Sequence, residues 1–142
     1  MSIAETLSGI WLFSGIDKEH LEKLAAFTFS RNYKPGEIIV EEGRTGNGLY
    51  VITSGQVEVV EGLHTDKPRR LRILGQGEFF GEIALLEDRP RSATVRALQE
   101  TACVGIDRWL FLTQLRNDPE IAIMMLQAMA RRFTERQPDP AQ

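Results

Sequence analysis

Hydrophobic residues follow three successive rhythms along this chain. Leu7, Ile10, Leu12 and Phe13, then Leu21, Leu24 and Ala25, recur at helical spacing. Asp17 stands just ahead of the second group, where a carboxylate accepts from the first amides of a helix, so a helix is predicted over 18–27. From 28 to 106 the apolar runs shorten and glycine-bearing segments separate them. EIIVEEG, GLYVITSGQVEVVEG, RRLRILGQGEFFG, SATVRAL and TACVGI read as strands. KPGE, GRTGNG, TSGQ and GQGE read as turns, because glycine and asparagine tolerate positive φ. From 107 the helical rhythm returns. Asp107 is placed to cap DRWLFLTQLRND, with Trp109, Leu110, Leu112 and Leu115 as its apolar positions. Asp118 is placed to cap a longer segment, with Pro119 at the first helical position and Glu120 in the first turn.

That last segment carries Ile121, Ile123, Met124, Met125, Leu126, Ala128, Met129 and Phe133, which is more than one stripe. A helix apolar on two sides needs a partner besides its own domain. Taken together the pattern is α+β, with helices at both ends of a small antiparallel sandwich or barrel. A chain of 142 residues suits one domain, expected over 1–137. The polar, proline-broken end QPDPAQ leaves 138–142 as an expected disordered tail.

Charge and residue counts narrow the functions. Seventeen basic and twenty acidic residues leave a net charge of -3, so no basic field holds a polyanion and a nucleic-acid partner is not expected. Cys103 is the only cysteine, which excludes an internal disulfide and a cysteine-based zinc cluster. It reads as a small buried apolar residue. No apolar run is long enough to span a bilayer, and the amino terminus lacks the basic leader of a secretory signal. The expectation is a cytoplasmic protein with no membrane partner. His20 and His64 stand far apart with no nucleophile beside either, and both read as surface residues. An enzyme acting through a metal would need a cluster of ligating side chains, so neither metal nor catalytic residues are expected.

One stretch, FGEIALLEDRPRSATV at 80–95, combines a hinge, an acid and a base. Gly81 precedes the helix-compatible Glu82-Ile83-Ala84-Leu85, whose first backbone amides suit an anion. Arg91 lies between the turn EDRP and the strand SATV. Its planar fork suits bidentate contact with a phosphate, each charged hydrogen bond contributing about 1.5–3 kcal/mol. Glu82 would repel the same phosphate and must instead accept from a hydroxyl. The pair asks for a small ligand with an anion on one side and a sugar-like hydroxyl on the other. Composition and spacing alone are equally satisfied by two solvated surface residues, or by the two paired with each other.

The same stretch closely resembles the phosphate-binding cassette of cyclic nucleotide-binding domains. That pattern is Phe-Gly-Glu-(Leu/Ile)-Ala-Leu, a short spacer, then Pro-Arg-(Ser/Thr/Ala)-Ala-(Thr/Ser)-Val. Phe80 to Leu85 and Pro90 to Val95 fill every position. YKPGEIIVEEGRTGNGLYVITSGQVEVV is similar to the first half of the family's β-roll, and DPEIAIMMLQAMARRFTER to the long last helix of the bacterial catabolite-activator type. The resemblance implies an antiparallel, jelly-roll-like β-roll flanked by N-terminal helices and two C-terminal helices. It implies a regulatory module that senses a cyclic nucleotide and moves its last helix through an apolar hinge at Phe111, Leu112 and Leu115. It assigns Arg91 to the cyclic phosphate, Glu82 to the ribose 2′-hydroxyl, and Gly81, Ile83 and Ala84 to further phosphate contacts. Ser92 and Ala93 match positions that touch phosphate or base. Leu71 and Ile73 are candidates for apolar contact with the base, against a reading as plain strand core. The ligand is cAMP or cGMP, cAMP being favoured by the bacterial look of the chain, while Ser92 offers a hydroxyl to guanine. The family's transcription factors carry a helix-turn-helix domain after the long helix, and QPDPAQ does not supply one. Met124, Met125, Met129 and Phe133 are candidates for a lid, a homodimer seam or a partner surface, while Arg131 and Arg132 read as solvated. An alternative reading is a helix-mediated dimerisation or docking module in which nucleotide is dispensable.

Overall fold

Short polar side chains set where the first helices begin. In the computed structural model, which describes residues 2–45 and 48–136, Ser2 and Glu5 form a reciprocal capping box that opens α1 (Ile3–Ser8). A single 3-10 turn, Trp11–Phe13, follows. Asp17 caps α2 (Lys18–Ala25) as expected, its Oδ1 accepting from the His20 amide at 2.9 Å. The helix ends before the predicted 27 because the strand pattern has begun by Thr28.

Eight strands follow among the described residues: β1 (Thr28–Tyr33), β2 (Ile38–Val40), β3 (Gly48–Ser54), β4 (Gln56–Glu61), β5 (Arg69–Gly75), β6 (Phe79–Phe80), β7 (Thr94–Ala97) and β8 (Thr101–Asp107). The run GLYVITSGQVEVVEG is thus two strands, broken at Gly55. There φ is +95° and a Cβ would lie 2.5 Å from the Glu100 carbonyl oxygen, so only glycine fits without movement. β1 was not among the predicted strands. Thr28, Ser30, Arg31 and Asn32 interrupt its apolar pattern, which leaves only Phe29 and Tyr33 toward the interior, and it is held by its ladder to β8, from Thr28 opposite Ile106 to Tyr33 opposite Thr101.

The strands form two antiparallel sheets, ordered β1-β8-β3-β6 and β2-β7-β4-β5. The first strand pairs with the eighth, the second with the seventh, the third with the sixth and the fourth with the fifth. That nesting is one long antiparallel ribbon rolled on itself, the jelly-roll-like β-roll expected from the resemblance. Inside it Tyr33, Tyr50, Ile52, Val57, Leu74, Phe80, Val95, Ala97 and Cys103 pack together. Cys103 is buried as expected, and burial pushes its thiol up to about 11.

A short α3 (Glu82–Leu86) lies between β6 and β7. After β8, the Asp107 carboxylate accepts from the amides of Trp109 and Leu110 at 2.8 and 3.1 Å and opens α4 (Arg108–Asn117). α5 runs Pro119–Arg136, with Pro119 at its first position as predicted. Two compact units result, the roll from Phe27 to Phe111 and a helical unit formed by the chain up to Ala26 and from Leu112 onward. Gly46 and Asn47 of the predicted turn GRTGNG, and the predicted tail at 138–142, lie outside the described residues.

α5 buries one stripe, Ile121, Met125 and Ala128, and exposes another, Ile123, Leu126 and Phe133. Two stripes were expected, but the methionines are not the exposed one: Met125 is buried, and Met124 and Met129 are half-buried. Arg132 is not simply solvated. Its guanidinium stacks 4.3 Å from the centre of the Trp11 ring. His20 also departs from the surface reading, its side chain being only 13% exposed among carboxylates, whereas His64 is 67% exposed.

Candidate functional site

The stretch 80–95 folds as a glycine hinge, a five-residue helix and an arm that returns to the sheet. Gly81 sits in the left-handed region at φ +89°, ψ +18°, and turns the chain from β6 into α3. α3 buries Ala84 and Leu85 and exposes Ile83. The Ala84 amide donates to the Gly81 carbonyl at 3.0 Å, so it already serves the helix. Glu82 begins the helix half-buried, and among the described residues its carboxylate has no ion-pair partner.

The arm is pinned by backbone bonds. The Arg91 amide donates to the Arg44 carbonyl at 2.8 Å, the Gly43 amide donates to the Arg91 carbonyl at 2.9 Å, and Thr45 bridges Pro90. These bonds aim the Arg91 side chain back at the hinge. Its Nη2 donates to the Gly48 carbonyl at 2.6 Å, and a Cβ on Gly81 would collide with Nη1. The guanidinium therefore sits in a cradle formed by the hinge and the start of β3. Its Nε is buried and has no hydrogen-bond partner among the described residues. Burial lowers the Arg91 pKa, Tyr50 acting the other way, and among the described residues no carboxylate pairs with it. A guanidinium stays cationic in proteins, so the cradle holds a desolvated cation with an unused donor. Tyr50 beside it stacks on Phe80 at 5.3 Å and meets Phe29 edge-on at 5.9 Å, which fixes the wall of the cradle.

The structure thus brings Gly81, Glu82, Ile83, Ala84 and Arg91 into one hinge-and-arm unit. Ser92 is exposed and Ala93 buried on the arm. Leu71 and Ile73 are 44% and 43% exposed, so the reading of them as strand core does not hold. Ile73 lies opposite Glu58, on the sheet face turned from the interior cluster. Leu71 falls in the bulge where β5 steps from Arg72 opposite Val59 to Arg70 opposite Val60. Between them, the register puts Arg72, which is exposed, on the same sheet side as Val59 and Leu74. Sequence reading passed over Arg72, because inner and outer faces of a bulged edge strand are not separable without the register. It also passed over Gly48, whose contribution is a carbonyl.

On the opposite sheet face, Glu58 is 4% exposed and bridges two strands. It accepts from Arg70 Nε at 3.0 Å and from Arg96 Nε at 2.9 Å. Burial would raise its carboxyl, but the hydrogen bonds from Arg96 and Arg70 outweigh it and hold it below its ordinary value.

A β-roll with a partly buried arginine at a glycine hinge places the chain among roll-type ligand-binding domains. Residues 30–118 match the profile of the cyclic nucleotide-binding domain, and the chain belongs to that family. It is 32% identical over 129 residues to the cyclic AMP receptor protein of Thermus thermophilus, covering 91% of this chain and 60% of that protein. It is 41% identical over 101 residues to a cGMP-dependent protein kinase of Eimeria tenella, covering 70% of this chain and 10% of the kinase. The N-terminal domain of a transcriptional regulator from Streptomyces coelicolor A3(2) superposes with a TM-score of 0.81 at 30% identity, covering 92% of this chain and 91% of that domain. The chain therefore spans from a tenth to three fifths of the length of these two curated relatives. No helix among the described residues is long and apolar enough to cross a membrane.

Proposed function

We propose that this chain binds one 3′,5′-cyclic purine nucleotide and relays its presence through α5. Arg91 takes the cyclic phosphate and Glu82 the ribose 2′-hydroxyl. Gly81 and Ile83 offer backbone to the phosphate, with Ala84, whose amide is engaged by the Gly81 carbonyl, Ser92 and Ala93 beside it. Of the two apolar candidates on β5, Leu71 is retained for the base, since the register turns Ile73 away from the interior. The observation that carries this reading is Arg91, a cation drawn into the cradle with a buried Nε lacking a protein acceptor among the described residues. A phosphate supplies both the charge and the acceptor. Glu82, directly after the hinge and without a cationic partner among the described residues, is left to accept from a hydroxyl. Ligand draws α3 and Arg91 together, and the shift passes through Phe111, Leu112 and Leu115 to α5. It does so only as far as nucleotide binds the two arrangements with different affinity.

cAMP is the nucleotide the resemblance favours. A second reading, cGMP, has its own observation. Arg72 lies exposed on the same sheet side as Val59 and Leu74, and an arginine fork matches the O6 and N7 acceptors of guanine, which adenine does not reproduce. Ser92 adds an exposed hydroxyl on the same arm.

α5 supports a partner as well. Ile123, Leu126, Ala130 and Phe133 are exposed at alternating steps of three and four, the seam of a helix pair, so self-association through α5 is expected. If nucleotide proves dispensable, this seam becomes the working surface of a docking module.

The test is calorimetric titration with cAMP and with cGMP after unfolding and refolding to strip carried-over ligand. Saturation near one nucleotide per chain is expected. Arg91→Ala should weaken it about a hundredfold or more, from two charged bonds of about 1.5–3 kcal/mol each, with an unchanged circular dichroism spectrum. Parent-like binding by the folded variant would refute the site, and no binding of either nucleotide by the parent would refute the function.

A further inference from the structure

His20 lies where two helix starts meet. Its Nδ1 is 2.6 Å from Asp17 Oδ1, the carboxylate that caps α2. Its Nε2 is 3.4 Å from Asp118 Oδ2, immediately before α5, and 3.9 Å from Glu120 Oε2 in the first turn of α5. Both ring nitrogens therefore face carboxylate oxygens. A neutral imidazole has one N–H and one lone pair, so it must turn a lone pair toward an acid. The imidazolium has two N–H groups and satisfies both sides.

We propose that His20 is a pH-operated tie between the start of α2 and the start of α5. Protonated, it links the Asp17 cap to Asp118 and Glu120. Neutral, it can keep the Asp17 bond or the α5 bond but not both, and the start of α5 is released. The charged groups that bear on the ring are Asp17 and, opposing it, Lys23 on α2, with Asp118 and Glu120 on α5. The hydrogen bond to Asp17, reinforced by the Asp17 and Asp118 charges, raises the imidazole above its ordinary 6.5, against burial and Lys23. With the folded value raised, the tie is fully present below the ordinary value and is lost as pH rises through the folded one. The helix that releases is the one assigned to relay nucleotide, but the tie itself does not depend on that assignment.

Nuclear magnetic resonance titration of the full chain tests this. His20 and His64 are told apart with His64→Asn, and the Glu120 and Ile121 amides report on α5. His20 should titrate above its ordinary 6.5, and those amides should shift with the same midpoint. Asp118→Asn, which retains a capping side chain, should lower the His20 midpoint and shrink the shift. In denaturant unfolding, the gap between parent and His20→Gln should narrow as pH rises above the ordinary 6.5. A His20 midpoint at or below the ordinary 6.5 would overturn the proposal, as would α5 amides indifferent to the His20 titration. If His20→Gln does not fold, the Asp118→Asn titration alone decides.

Discussion

Replacing Gly81 with alanine probes the cradle with a single methyl group. Gly81 holds φ +89°, where an L-residue costs about 1–2 kcal/mol. The added Cβ would lie 2.6 Å from the Gly48 carbonyl oxygen and nearer still to Arg91 Nη1, well inside the 3.4 Å at which ordinary contact starts. Gly48 is backbone of β3, so relief requires the hinge or the strand to shift, and the Arg91–Gly48 hydrogen bond opens as it does. Overpacking of this kind adds about 1–3 kcal/mol. The sum, about 2–5 kcal/mol, corresponds to a fall in Tm of about 6–20 °C for a chain of this size. Gly77→Ala is the matched control. Its φ is +85° and nothing lies within 4 Å of its added Cβ, so it carries the conformational cost alone, about 1–2 kcal/mol. Thermal unfolding by circular dichroism, run beside nucleotide titration, compares the two. Gly81→Ala should lose more stability and most of its binding, and Gly77→Ala should bind like the parent. Equal losses of stability, or parent-like affinity in Gly81→Ala, would refute the reasoning that the hinge positions Arg91.

Arg72→Ala should lower affinity for cGMP about 5- to 150-fold, the range of one bidentate base contact, and leave cAMP nearly unchanged. Competition titration measures the ratio, and equal losses for both nucleotides would show that Arg72 does not read the base. Glu58→Gln leaves Arg70 and Arg96, whose side chains are 51% and 36% exposed, facing a neutral group and should destabilise by about 1–2 kcal/mol in urea unfolding at neutral pH. Because the folded carboxyl lies below its ordinary 4.5, its contribution is present above that value and is lost as pH falls through the folded one. The gap between parent and variant should therefore close as pH falls below 4.5, and a gap constant with pH would contradict the assignment. Leu126→Asp removes one contact from the exposed stripe of α5 and should abolish self-association in sedimentation without lowering Tm. An unchanged sedimentation coefficient across concentration in the parent would dismiss the seam.

Helix starts were legible in the sequence because Asp17, Asp107 and Asp118-Pro119 punctuate the chain locally, and a cap depends on residues within one turn. The interior strands were legible because Val, Ile and Leu alternate with polar residues between glycines. β1 was not, since its polar residues face outward and its place is set by β8, far along the chain. The hinge and its arginine could be named from 80–95 alone. What Arg91 rests on could not, because the Gly48 carbonyl is 43 residues away. Leu71, Arg72 and Ile73 show the same limit on a smaller scale. Which of the three shares a sheet side with Leu74 depends on a bulge in the pairing with β4, a property of two strands that neither encodes alone. His20 was misread because its companions at Asp118 and Glu120 arrive from the other end of the chain.

The nested pairing of the strands has a consequence for how such a roll travels. Since the first strand lies beside the last, Thr28 and Ile106 are cross-strand partners, and the chain enters and leaves the roll about one strand spacing apart, ~5 Å. A segment whose two ends emerge side by side can be spliced into a loop of a host polypeptide without prising the host apart. Splicing leaves the roll's own ladders intact, because every pairing is closed within the inserted segment. The geometry is that of a transplantable cassette, suited to a kinase of which the matching stretch makes up a tenth as well as to a receptor of which it makes up more than half.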